Sequence, residues 1–272
     1  MRTGAPAAAV ARERGGPRTP RSDHALLSIT ALLFAASAAV TILQCASMAA
    51  MGGSTMPGGW SMSMAWVRMP GQSWFGAAAS FLAMWLGMMP AMMLPSLMPA
   101  LQRYRAGVGR LDMTLLMGLG YFTVATALGA AIFPCGAAVV ALQMRWQFLA
   151  QMSPAAAGIV IIVAGLVQLT RWKAQHLACC RSVAAGRVAC RTNARHAWRT
   201  GLRLGLNCSC CGVPQMAVLL MIGIMDLRAM TLVSAALAAE RLLPTGPRIA
   251  RGLGAVTVCA GLVVLANARN VA

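Results

Sequence analysis

The chain has 272 residues, of which 59% are hydrophobic and only 10% charged, and its mean hydropathy is +0.69. A soluble domain carries roughly 25% charged residues, so a water-soluble globular architecture is excluded. The net charge of +18 would suggest nucleic acid in a soluble protein, but here the bases alternate with apolar stretches as in membrane topology, and nucleic-acid binding is set aside.

Residues 1–24 are rich in Ala, Arg, Gly and Pro and read as a disordered basic leader. Residues 25–44 form an apolar run of roughly twenty residues, longer than the usual 7–15 of a signal-peptide core. They read as an uncleaved N-terminal transmembrane anchor. Residues 45–73 are rich in Met, Gly and Ser and read as an outer loop. Residues 74–272 are predicted as a six-span membrane domain, with apolar segments near 74–101, 114–133, 154–169, 204–224, 228–243 and 249–266. Pro90, Pro95 and Pro99 mark candidate kinks in the first of these. Residues 134–153 extend the third span or lie along the outer interface, and 170–203 form a basic cytoplasmic loop. The predicted fold is therefore all-α: a polytopic transmembrane helical bundle of about seven spans, six core spans plus the anchor.

Lys and Arg set the orientation. With the N-terminus in the cytoplasm, only Arg68, Arg145, Arg228 and Arg269 fall outside, and the rest of the 23 bases lie inside. That pattern predicts a multi-pass protein of a bacterial inner membrane. The lipid bilayer is then its first partner, and topology and anionic lipid account for the bases.

Three groups of residues carry candidate chemistry. The segment from Trp74 to Leu101 has no charge but holds Met84, Met88, Met89, Met92, Met93 and Met98. Met84, Met88 and Met92 recur at i, i+4 and i+8 and form one stripe; Met89 and Met93 form a neighbouring one. A thioether adds nothing to lipid solubility that Leu would not, but it is a soft donor suited to Cu(I). Methionine also fills irregular gaps between helices, and both readings stand for the span. The outer loop favours metal: Met62 and Met64 sit in a Gly/Ser-rich stretch with no core to fill.

The second group is Asn207-Cys208-Ser209-Cys210-Cys211, where Cys208 and Cys211 share a helix face. They bind one Cu(I), Zn(II) or similar ion, form an exchanging thiol pair, or simply pack at a helix crossing. The reducing cytoplasm argues against a structural disulfide. The third group is His176, Cys179 and Cys180 among the bases of the cytoplasmic loop. His176 and Cys180 are one turn apart if the fourth span continues, and nearby bases favour thiolate. The plain alternative is a solvated loop with incidental thiols.

Other features are weaker. Asp226 and Arg228 read as an outer turn. Glu240 snorkels to the interface or pairs with Arg241 or Arg248. Cys45 and Cys135 share the outer side and are in reach of a disulfide there. No phosphate-binding glycine loop, Ser/His/Asp set, zinc-protease helix or carboxylate pair is visible, so no catalytic constellation is assigned.

The run from Met84 to Ser96, MWLGMMPAMMLPS, resembles the signature of the DUF2182 family, described as metal-binding integral membrane proteins. The resemblance continues at Gly165–Thr170 with Lys173 and Cys179-Cys180-Arg181, at Gly205 through Cys211, and at Gly223–Leu227 with Glu240, covering roughly Trp74 to Val264. His176 departs from it, standing where the family tends to carry cysteine. Cys210 and Gly212 also exchange roles relative to the family's Cys-x-Gly-Cys-Cys. Both changes keep soft or borderline donors nearby. The resemblance implies metal binding in a membrane.

The expected function is binding or transfer of a soft transition metal, copper(I) first, with zinc or another soft metal behind it. The candidate ligands are Met62, Met64, Met84, Met88, Met89, Met92, Met93, His176, Cys179, Cys180, Cys208 and Cys211. A metal chaperone or a larger membrane complex would be the protein partner. Two alternatives remain open: a structural or assembly subunit of such a complex, and a membrane thiol redox protein using Cys208 and Cys211.

Overall fold

The computed structural model describes residues 20–50, 73–146, 152–184, 193–223 and 226–271. Among these there are only helices: α1 (Pro20–Ala50), α2 (Trp74–Val108), α3 (Leu111–Arg145), α4 (Ser153–Leu169), α5 (Arg171–Ala184), α6 (Ala194–Ile222), α7 (Leu227–Leu242) and α8 (Gly246–Val271). In lipid no water is available to backbone groups, so each apolar segment satisfies its own amides as a helix. The architecture is an all-α helical bundle, as the sequence predicts.

The count of spans is lower than predicted. Five helices are long and apolar enough to cross a membrane, and a sixth is obtained if α4 and α5 count as one broken span, bent by 62°. The segment predicted at 228–243 is α7, with only 16 residues. At 1.5 Å per residue it is short of the roughly 30 Å of a bilayer core. Its last turn carries Glu240 and Arg241, both buried within the bundle. Of the segment expected at 134–153, residues 134–145 extend the third span, since α3 continues through Pro134 to Arg145.

Local chemistry sets the helix ends. Ser73 caps α2 by accepting from Gly76 N at 3.0 Å. Gly109 closes it at φ 74°, donating to Arg105 O at 2.7 Å. That left-handed conformation is one only glycine adopts cheaply, and it turns the chain directly into α3. Asp226 opens α7 by accepting from Arg228 N and Ala229 N, which makes the expected turn.

The N-terminal helix is stitched into the bundle. Ser37 of α1 inserts its hydroxyl into α2, donating to Gly87 O and accepting from Ala91 N at 2.9 Å. Those two groups would otherwise bond each other. A side chain entering the helical ladder is a recognised cause of local bending, and it falls beside Pro90, which has no N–H to give.

Helices pack closely where glycine removes the side chain, as membrane interfaces require. α4 and α8 run antiparallel, with Gly158 against Gly261 and Gly165 against Gly254; a Cβ on Gly165 would lie 2.9 Å from Gly254 O. α3 and α6 meet more tightly still, since a Cβ on Gly201 would lie 2.1 Å from Met117 O. The core sits between α2, α3, α6 and α7. Trp85 anchors it, donating Nε1–H to Ala125 O at 2.9 Å with its ring against Gly129.

Candidate metal centre

α2, α3 and α6 line a partly open cavity of about 280 Å³. Its sulfur lining comes from two helices: Met89 and Met93, one turn apart on α2, and Cys208 and Met216 on α6. Tyr121 of α3 completes the polar part, its Oη lying 3.0 Å from Cys208 Sγ. The glycine contact between α3 and α6 holds Tyr121 against Cys208.

The break at Thr170 supplies a second thiol. Past the 62° bend α5 packs against α6, and the buried Cys180 is a side-chain neighbour of Cys208. Two thiols from separate helices thus meet beside a thioether-lined cavity.

Arg241 of α7 lies beneath them. Its Nη1 donates to Ser96 Oγ at 2.9 Å and to Met93 Sδ at 3.4 Å, and its Nη2 donates to Cys208 O at 3.1 Å. Its Nε is buried without a hydrogen-bond partner. Among the described residues no carboxylate pairs with it.

One residue earlier, Glu240 faces another cluster. Lys173 Nζ lies 2.9 Å from Glu240 Oε2 and donates to Gln168 Oε1, Gln215 Oε1 and Cys211 O at 2.9, 3.0 and 2.7 Å. Glu240 Oε1 accepts from Gln168 Nε2 at 2.8 Å and Gln215 Nε2 at 2.7 Å. All four side chains are buried. Nearby, Arg181 donates to the carbonyls of Glu240, Leu243 and Pro244, completing the C-terminal end of α7.

The predicted site residues divide. Met89 and Met93 line the cavity, whereas Met84, Met88 and Met92 are buried in the surrounding core and not on its wall. Cys180 and Cys208 meet. Cys211 is buried one turn along from Cys208, but Lys173 holds its carbonyl and the two cysteines are not disulfide-bonded. His176 and Cys180 do lie on one helix, yet His176 Nδ1 is engaged by Asn207 Oδ1 at 3.0 Å and its ring stacks edge-on against Trp172. Cys179 is exposed. Cys45 and Cys135 are not disulfide-bonded either. Met62 and Met64 lie outside the described residues. Among the described residues, no three His, Cys, Asp or Glu side chains converge as a metal site.

The pairing expected for Glu240 is overturned. Its partner is Lys173, not Arg241 or Arg248. Adjacent helical residues point about 100° apart, so Arg241 cannot turn to its neighbour while gripping α2 and α6. Sequence reasoning also missed Tyr121, Ser96, Met216 and the two glutamines. It carried Lys173 only as an inside base and part of the family resemblance, and Arg241 only as an inside base and a partner for Glu240, although an ionisable group in an apolar segment is itself a mark of function.

The fold and the site together describe a multi-span helical protein of membrane composition with a sulfur-lined interior. A family model described as PpoB2, copper chaperone, matches residues 82–264, and the chain belongs to that family. The matched region contains every residue of the cavity and of both buried charge clusters. No curated protein matches the chain, and no solved structure does.

Proposed function

We propose that the chain binds Cu(I) as cargo between Cys180 and Cys208, with Met93 or Met89 as a third, weaker donor, and passes it through a bacterial inner membrane. The observation that carries this reading is the meeting of two thiols from separate helices beside a thioether-lined cavity. Thiolate and thioether sulfur select Cu(I). Zinc is the poorer fit, because a closed zinc site takes four tetrahedral ligands and no three of its usual donor residues converge among the described side chains.

With the N-terminus in the cytoplasm, Met62 and Met64 collect the ion outside, the methionines of α2 pass it inward, and the thiols hold it. His176 and Cys179 then stand on the inner side, where a soluble metal chaperone or a copper enzyme under assembly would take delivery. The DUF2182 resemblance and the copper chaperone family would, on this reading, describe one lineage. The test is Cu(I) titration of the reduced full chain in detergent against a Cu(I) chelator. About one tightly held ion per chain is expected, lost in Cys180→Ser and Cys208→Ser. Equal binding in wild type and both variants would sink the reading.

A further inference from the structure

Charge is balanced unequally in the interior. Lys173 and Glu240 cancel each other. Arg241, 6% exposed, donates to Met93 Sδ, Ser96 Oγ and Cys208 O and lies beside the Cys208 thiol, with no carboxylate among the described residues opposite it. The chain has only five acids, and none of those described is free for it. Asp112 pairs with Arg110, Asp226 caps α7, and Glu240 is held by Lys173. A guanidinium does not shed its proton, so the charge is permanent, and an uncompensated buried charge is strongly unfavourable. Arg241 grips the carbonyl of Cys208 itself, so an anion formed at the thiols would lie beside it.

We propose that Arg241 is a valence filter: its fixed charge makes the Cys180–Cys208 site accept monovalent soft ions and disfavour divalent ones. The inference rests on the copper reading above and adds the charge of the accepted ion. When the two cysteines hold a monovalent ion M⁺ as thiolates, two S–M bonds form and any proton on either sulfur leaves to water. The product [M(SR)₂]⁻ carries one negative charge, which cancels Arg241. With a divalent ion the same exchange gives a neutral M(SR)₂, and the guanidinium stays uncompensated. No electron moves in either case. The low dielectric of the interior magnifies the difference, and the neutral thioether of Met93 leaves the count unchanged.

Ag(I) and Cd(II) separate valence from softness, since both are soft, redox-inert, filled-shell ions. Their affinities would be measured on the reduced full chain in detergent by chelator competition. Wild type should prefer Ag(I). Arg241→Lys, which keeps the charge, should hold the Ag(I)/Cd(II) ratio within about threefold, and Arg241→Met should lower it by at least about tenfold. Arg241→Gln keeps donors for Ser96 and Cys208 O without charge and should behave as Arg241→Met; it also serves if the methionine variant does not fold. An unchanged ratio in the neutral variants, with Ag(I) still dependent on Cys180 and Cys208, overturns the filter and leaves the copper reading standing. Ag(I) binding indifferent to both cysteines overturns the copper reading itself.

Discussion

Glu240 and Arg241 are neighbours on one helix turn, yet they serve opposite kinds of interior. Around Glu240 the charges are matched. The Lys173 ammonium is enclosed by four oxygens, and each glutamine gives its oxygen to the lysine and its amide to the carboxylate. Around Arg241 one donor has no partner, no carboxylate among the described residues opposes it, and two cysteines and a cavity with thioethers in its wall lie alongside. The first arrangement ties α4, α5, α6 and α7 together, which matters in lipid, where helix association has little hydrophobic drive. On the copper reading proposed above, the second serves the bound ion rather than the fold.

The largest expected effect falls on the satisfied side. Glu240→Ala would leave Lys173 buried without its counter-charge, at a cost of about 3–5 kcal/mol. Thermal unfolding in detergent should show it as a large loss of stability. The double variant Lys173→Met with Glu240→Leu should recover most of that loss, because an apolar pair of similar volume replaces a buried ion pair well. If the double variant is no better than the single, the cluster does more than hold helices. On the open side the pattern should invert. Cys208→Ser should weaken Cu(I) binding by at least about a hundredfold, or 2.7 kcal/mol, while thermal stability moves by less than about 1 kcal/mol. A stability loss as large as that of Glu240→Ala would remove the distinction between the two regions.

The distinction was only half legible in the sequence. Long uncharged runs and the alternation of bases announced the helical bundle, because lipid leaves the backbone few options. The methionines of α2 and the cysteines of α6 were visible as soft donors by residue type alone. Their partners were not. Whether Cys208 meets Cys211 along its own helix or Cys180 from another depends on a bend at Thr170, and no residue type there dictates 62°. Likewise Met89 and Met93 face the cavity while Met84, Met88 and Met92 do not, a choice made by how α2 rotates against α3 and α6. Helical periodicity yields stripes but not which stripe faces what. Arg241 and Lys173 were hidden by their neighbours: in a chain with 23 bases, two that are buried look like the rest until packing is known.

A smaller effect tests whether the glutamines belong to the satisfied cluster. Gln215→Leu removes one contact to Lys173 and one to Glu240. Losing them while both charges keep other partners should cost about 1–3 kcal/mol. Cu(I) affinity should stay within about twofold, since Gln215 does not line the sulfur cavity and distant sites act independently. A parallel fall in Cu(I) affinity would mean that the two clusters are energetically coupled through Cys211 and α7.

The smallest expected effect concerns Met216, which no sequence pattern singled out. It sits on α6 two turns beyond Cys208 and lines the same cavity, partly buried against the core. Replacing it with leucine keeps volume and apolar character, so stability should change by less than about 1.5 kcal/mol. What changes is the loss of one soft sulfur atom from the wall. If the thiols hold the ion and the thioethers only attend its passage, equilibrium Cu(I) affinity should fall no more than about threefold, near 0.6 kcal/mol, while loading slows measurably in stopped-flow transfer from a weak Cu(I) donor. A drop as deep as that of Cys208→Ser would instead make Met216 a ligand, and the centre would have to be redrawn further up the cavity, away from Cys180 and from Arg241.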